Sequence, residues 1–206
     1  MNRTKGGIAA LVLGSAGLLS GAAHADIVWH EGNNGDLSNA QGAPTQLVLA
    51  PGSNLILAAA GTGDTQDWVV VTIPSGFQLS ALVNTRYTAN DPQGFMGMQA
   101  GASFVGSPFA AGSYAGFAHF GSAAVNGGLP AINTVGANML PLMANPAVAP
   151  GSTGMSAVLG PGTYTFLFQQ LSGATAYEFD FVLTPAPSGA ALIGLAAAGW
   201  MRRSRR

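Results

Sequence analysis

Near the end of the chain, aromatic side chains alternate with smaller or polar ones through two consecutive segments. Tyr164, Phe166 and Phe168 alternate with Thr163, Thr165, Leu167 and Gln169; Tyr177, Phe179, Phe181 and Leu183 then alternate with Glu178, Asp180 and Val182. A period of two sends each set to one face of a strand, so both segments read as β-strands with an aromatic face that needs burial. The short link through Ser172-Gly173-Ala174 predicts a hairpin joining them.

The rest of the body follows the same period. Ile27-Val28-Trp29 reads as a first strand. Residues 45–49 and 54–58 flank a turn at Ala50-Pro51-Gly52-Ser53, and Asp67 to Ile73 is an apolar, β-branched run stopped by Pro74-Ser75-Gly76. Phe77, Leu79, Ala81 and Val83 alternate as a half-buried strand. Residues 112–120 and 131–143 each predict a further strand, and 145–154 a loop. Helical periodicity is nearly absent, and no repeat of fixed period is visible. Six to nine short strands predict an all-β fold, an antiparallel β-sandwich or jelly roll.

Charge separates the body from the ends. Arg86 is the single cation between Asp26 and Pro187, against eight acids (Asp26, Glu31, Asp36, Asp64, Asp67, Asp91, Glu178, Asp180), a net −7. Such a surface repels phosphate backbones, which excludes nucleic acid as a partner, and it is compatible with calcium or neutral glycans. There is no cysteine, so the fold stands on its core alone. The span of about 160 residues suffices for one domain.

Arg3 and Lys5, then the apolar stretch Ile8 to Ala22, then Ala23-His24-Ala25 make a secretory leader with an A-x-A cleavage site. Residues 1–25 are therefore expected to leave as a signal peptide after a signal helix engages Sec-type export machinery and signal peptidase. The mature chain would begin at Asp26. At the other end, Pro185-Ala186-Pro187 precedes an apolar run, 188–201, and Arg202, Arg203, Arg205 and Arg206 close the chain. Arginines hold their end of an apolar helix on the cytoplasmic side, a stop against translocation. Fourteen residues make a helix of about 21 Å, short against a hydrocarbon core of about 30 Å. A helix so short suits a transient inner-membrane anchor, with a permanent tail anchor as the alternative.

This tail resembles that of the PEP-CTERM proteins, in which Pro-Glu-Pro or a variant is followed by an apolar helix and a basic end. Ala186 stands where the family usually has Glu. The resemblance implies an exported protein processed by exosortase, a membrane protease, and delivered to the envelope or exopolysaccharide. It covers about a tenth of the chain, with domains at 1–25 (leader), 26–184 (sandwich) and 185–206 (sorting tail). The body resembles more faintly the β-sandwich modules of the pre-peptidase C-terminal type. The carriers are Gly63-Asp64-Thr65-Gln66-Asp67-Trp68, Ile73-Pro74-Ser75-Gly76 and Gly160-Pro161-Gly162-Thr163-Tyr164-Thr165-Phe166. Such modules are usually non-catalytic, and some bind calcium or carbohydrate.

Candidate ligand residues are few. Asp64 and Asp67 sit in a glycine-rich loop where carboxylate oxygens can gather around calcium, with Asp91, or Glu178 and Asp180, as acids that can join them. The full spacing of a calcium loop is missing, and turn-forming, solubilising acids are the simpler reading. Tyr87, beside Arg86 and Asn84, is the aromatic expected at the surface as a platform for sugar rings. His30 and His119 have no sequence-near partner at metal spacing, and Ser113 lacks a nucleophile-elbow context. The expected protein is an exported, non-enzymatic envelope or matrix component. A carbohydrate- or calcium-binding module is the alternative, with a secreted hydrolase behind it.

Overall fold

The computed structural model describes residues 25–89, 91–122 and 133–187, and they form an all-β sandwich. The strands are β1 (Asp26–His30), β2 (Thr45–Val48), β3 (Gly52–Ala60), β4 (Gln66–Ile73), β5 (Phe77–Ala89), β6 (Gln93–Ala100), β7 (Gly116–Gly121), β8 (Gly162–Gln169) and β9 (Thr175–Pro185). Two one-turn helices, α1 (Glu31–Asn34) and α2 (Leu140–Met143), interrupt them. One sheet runs β1-β3-β9-β5 and the other β2-β4-β8-β6-β7. Each sheet carries one parallel pair at an edge, β1 with β3 and β2 with β4; the other pairs are antiparallel. The expected leader helix, the apolar tail helix, Ala23 and the closing arginines lie outside the described residues.

The hairpin expected from the closing aromatic segments is not there: β8 and β9 belong to opposite sheets. Both segments were read correctly as strands, and their link, residues 170–174, crosses between the layers. Paired side by side, two aromatic faces would need a third layer to cover them; set face to face, they cover each other. Phe168 lies 4.8 Å from Phe179 and 5.3 Å from Tyr177 between ring centroids, and Phe166 lies 5.5 Å from Phe181. Ring pairs at such spacing add about 0.5–1.5 kcal/mol beyond area burial. The turn at 50–53 likewise carries the chain from β2 in one sheet to β3 in the other.

Register irregularities in β5 override its simple alternation. A shift between Leu79 and Ala81 turns Leu82 and Asn84 inward in place of Ala81 and Val83, and a second between Asn84 and Arg86 turns Tyr87 inward. Within 133–143 there is no strand: Leu140–Met143 is a helical turn that tolerates Pro141 in its first turn. This segment covers the edge of β5 instead. Met139 N–H donates to Leu82 O at 2.7 Å, and Leu79 exchanges backbone bonds with Leu159, leaving less edge free to pair with another chain. Among the described residues no helix is long and apolar enough to cross a membrane.

The larger sheet has a second, smaller core on its outer face. Trp68 and Leu167 project there, and the chain from Gly101 to Tyr114 folds over them, bringing Phe104 and Tyr114 into contact. Gly97 of β6 makes the approach possible, because a Cβ there would come 2.3 Å from the Tyr114 ring. Gln99 anchors the flap, receiving Val105 N–H at 2.8 Å and donating to Ser113 O at 2.6 Å.

Candidate metal centre

Four acids from three segments converge at one end of the sandwich. Glu31 opens α1, Asp36 follows in the loop shaped by Gly35 at φ +86°, Asp64 closes the β3–β4 turn, and Asp67 is the second residue of β4. Asp67 faces the interior because the inward set of β4 runs Asp67, Val69, Val71, Ile73. It is fully buried, 0% exposed. Tyr177 of β9 donates its hydroxyl to Asp67 Oδ2 at 2.6 Å, tying the two sheets together, and Asp67 Oδ1 has no hydrogen-bond partner.

One carboxylate oxygen each of Glu31, Asp36 and Asp67 lies within 4.8 Å of the others. That separation is what two ligands on opposite sides of one cation have at about 2.4 Å each. Glu31 is held in place by its own acceptor bonds, from Ala59 N–H at 2.7 Å and Leu37 N–H at 3.3 Å. Asp64 stands beside the trio, next to Asp36, and its Oδ1 is buried without a partner.

The electrostatics follow from burial and crowding. Desolvation pushes the Asp67 carboxyl up to about 8; the Tyr177 hydrogen bond opposes this, and the charges of Glu31, Asp64 and Asp36 add to it. Desolvation also raises Glu31 against its two backbone hydrogen bonds, with Asp36 and Asp64 adding. Asp64 is raised by desolvation and then by Asp36. Raised to about 8, the Asp67 carboxyl without a cation holds its proton at neutral pH. An all-oxygen set of carboxylates with two orphaned buried oxygens fits a hard cation, calcium before softer metals.

The other expected residues stand apart from this cluster. Asp91 accepts from Ser172 Oγ and Gln93 N–H. Asp180 accepts from Ser53 Oγ at 2.6 Å and Asn54 N–H at 2.8 Å. Glu178 accepts from Thr85 Oγ1 at 2.8 Å. Tyr87, expected at the surface, is 7% exposed because of the second β5 irregularity. It meets Phe120 edge-on at 5.5 Å and donates to Asp91 O at 2.9 Å. It offers no ring to a ligand. Sequence reasoning found Asp64 and Asp67 but not Glu31 and Asp36, which lie about 30 residues upstream. In the sequence both stood out only as members of the eight acids of the body.

Fold and site together define a class: an all-β sandwich with a carboxylate cluster at one end, running from exposed Asp36 to fully buried Asp67. Comparison with family models, with curated proteins and with solved structures found no match.

Proposed function

We propose that this chain is an exported, non-enzymatic envelope or extracellular-matrix protein whose sandwich is locked by calcium held by Glu31, Asp36, Asp64 and Asp67. The observation that carries the calcium reading is the fully buried Asp67, with one oxygen orphaned inside a group of acids. A cation there would tie α1 and the β3–β4 turn to β4, and through Tyr177 to β9. The segment order supports the export reading. Strand β1 starts at Asp26, directly after the A-x-A site, and β9 ends at Pro185, the first residue of the sorting motif. Pro185 and Pro187 are exposed where an exosortase-like protease would meet them, although Pro185 still pairs with Phe77 and Ala186 N–H donates to Gly76 O at 2.8 Å. The closing arginines would hold the tail transiently at the inner membrane.

Calorimetry of the full chain in calcium against chelator tests the metal reading. Calcium at about 100 times its dissociation constant stabilises a folded state by about 2.7 kcal/mol, a rise in melting temperature of about 5–10 °C for a domain this size. An unchanged melting temperature removes calcium from the proposal.

A further inference from the structure

The flap from Gly101 to Tyr114 covers only part of the outer face of the larger sheet. Next to it, one rung crosses four strands in register: Gln66 of β4, Gln169 of β8, Phe95 of β6 and His119 of β7. Phe95 and Phe117 lie 5.8 Å apart with their planes 35° from each other, an uneven shelf of two half-buried rings. Phe109 rises from the flap at 75% exposure, and the Tyr114 hydroxyl holds the adjoining Pro108 carbonyl at 2.7 Å. Phe95, Phe117, Phe109, Pro108, Tyr114 and Gln169 line a cleft of about 260 Å³. A second cleft, also about 260 Å³, continues past Phe95 and Gln169 to Gln93, His119 and Leu171.

Gln169 lines both clefts and is 6% exposed, yet its Nε2 has no acceptor. The half-buried Gln93 Nε2 in the second cleft also lacks one. Leaving such a donor dry costs about 1–3 kcal/mol, so the groove suits an occupant that brings oxygen acceptors. A purely aliphatic occupant would leave both amides unmet. An anionic one would meet Asp91 at the rim of the second cleft, in a body with a single cation, Arg86. A pyranose ring offers what remains: neutral hydroxyl acceptors at its edge, and a C–H face whose positive hydrogens suit the negative face of an aromatic ring.

We propose that this groove binds a neutral polysaccharide. The rings of Phe95, Phe117 and Phe109 take sugar faces, Gln169 and Gln93 donate to hydroxyl or ring oxygens, and the connected clefts take consecutive residues of one chain. This deepens the exopolysaccharide association that accompanies the envelope reading. It is independent of the calcium cluster, so the two can fail separately.

Titration calorimetry of the full chain with neutral gluco-, manno- and galacto-oligosaccharides of two to six residues is the test. At least one series is expected to bind at one site, with affinity rising from the dimer and levelling once both clefts are filled. Phe109→Ala removes an exposed ring, so it should weaken binding about tenfold without shifting the melting temperature. Gln169→Met keeps volume and loses the donor, and about a tenfold loss is expected again. Absence of binding across the panel overturns the proposal, as does binding that both variants leave unchanged. A sugar-independent dimer abolished by Phe109→Ala would make the face a self-association surface and also overturn it.

Discussion

At the scale of single residues, Asp67 carries the most consequence. Its carboxyl is raised from the ordinary range near 4 to about 8, so without metal the folded state keeps a proton that the unfolded chain releases. The sign follows: this contribution is fully present below about pH 4 and is lost as pH rises toward about 8. The chelated protein should therefore melt at progressively lower temperature between pH 5 and pH 8. Calcium, which needs the carboxylate, should bind more tightly across the same interval and release protons as it binds. Asp67→Asn separates the two effects. Melting in chelator at pH 7.5 should move upward, because a buried ionisable acid is gone, and the calcium-induced rise should vanish. A calcium response that survives in this variant would place the ion elsewhere. Asp67 was visible in the sequence as an acid before an apolar strand. Its burial was not, because inward or outward direction depends on which residues of β4 meet β9.

At the scale of elements, the pairing of β8 and β9 across the interior concentrates stability in their aromatic contacts. Phe168 is fully buried and touches Phe120, Tyr177 and Phe179. Phe168→Ala should cost about 3–5 kcal/mol, read as a loss of denaturation midpoint at unchanged slope in urea. Strand existence was legible where apolar residues alternated, as in β8 and β9, or ran unbroken and β-branched, as in β4, and all three stand within a few residues of their expected bounds. Strand β6 was not legible, since Gly94 and Gly97 break its pattern. Both glycines answer to neighbours far along the chain, Phe120 and Tyr114, whose rings occupy the space a Cβ would take. The β5 irregularities were also out of reach, because a register shift is set by the partner strand, here β9.

At the scale of the whole molecule, the sandwich fills the interval between the two expected processing signals. Intact mass of the protein recovered from its native envelope or medium checks that organisation. The expected mass begins at Asp26 and ends near Pro187, with any glycan added; a mass retaining Arg206 would make the tail a permanent anchor. The order of polar and apolar residues by itself determined the all-β class, most strands and the acidic body, because each is a local or compositional property. Tertiary structure alone decided that β8 and β9 face each other instead of pairing. It also brought Glu31 and Asp36 to Asp67, and left Gln169 unmet between aromatic rings on an outer face. Those outcomes depend on contacts between residues far apart in the chain, and sequence periodicity carries no information about which strand becomes whose neighbour.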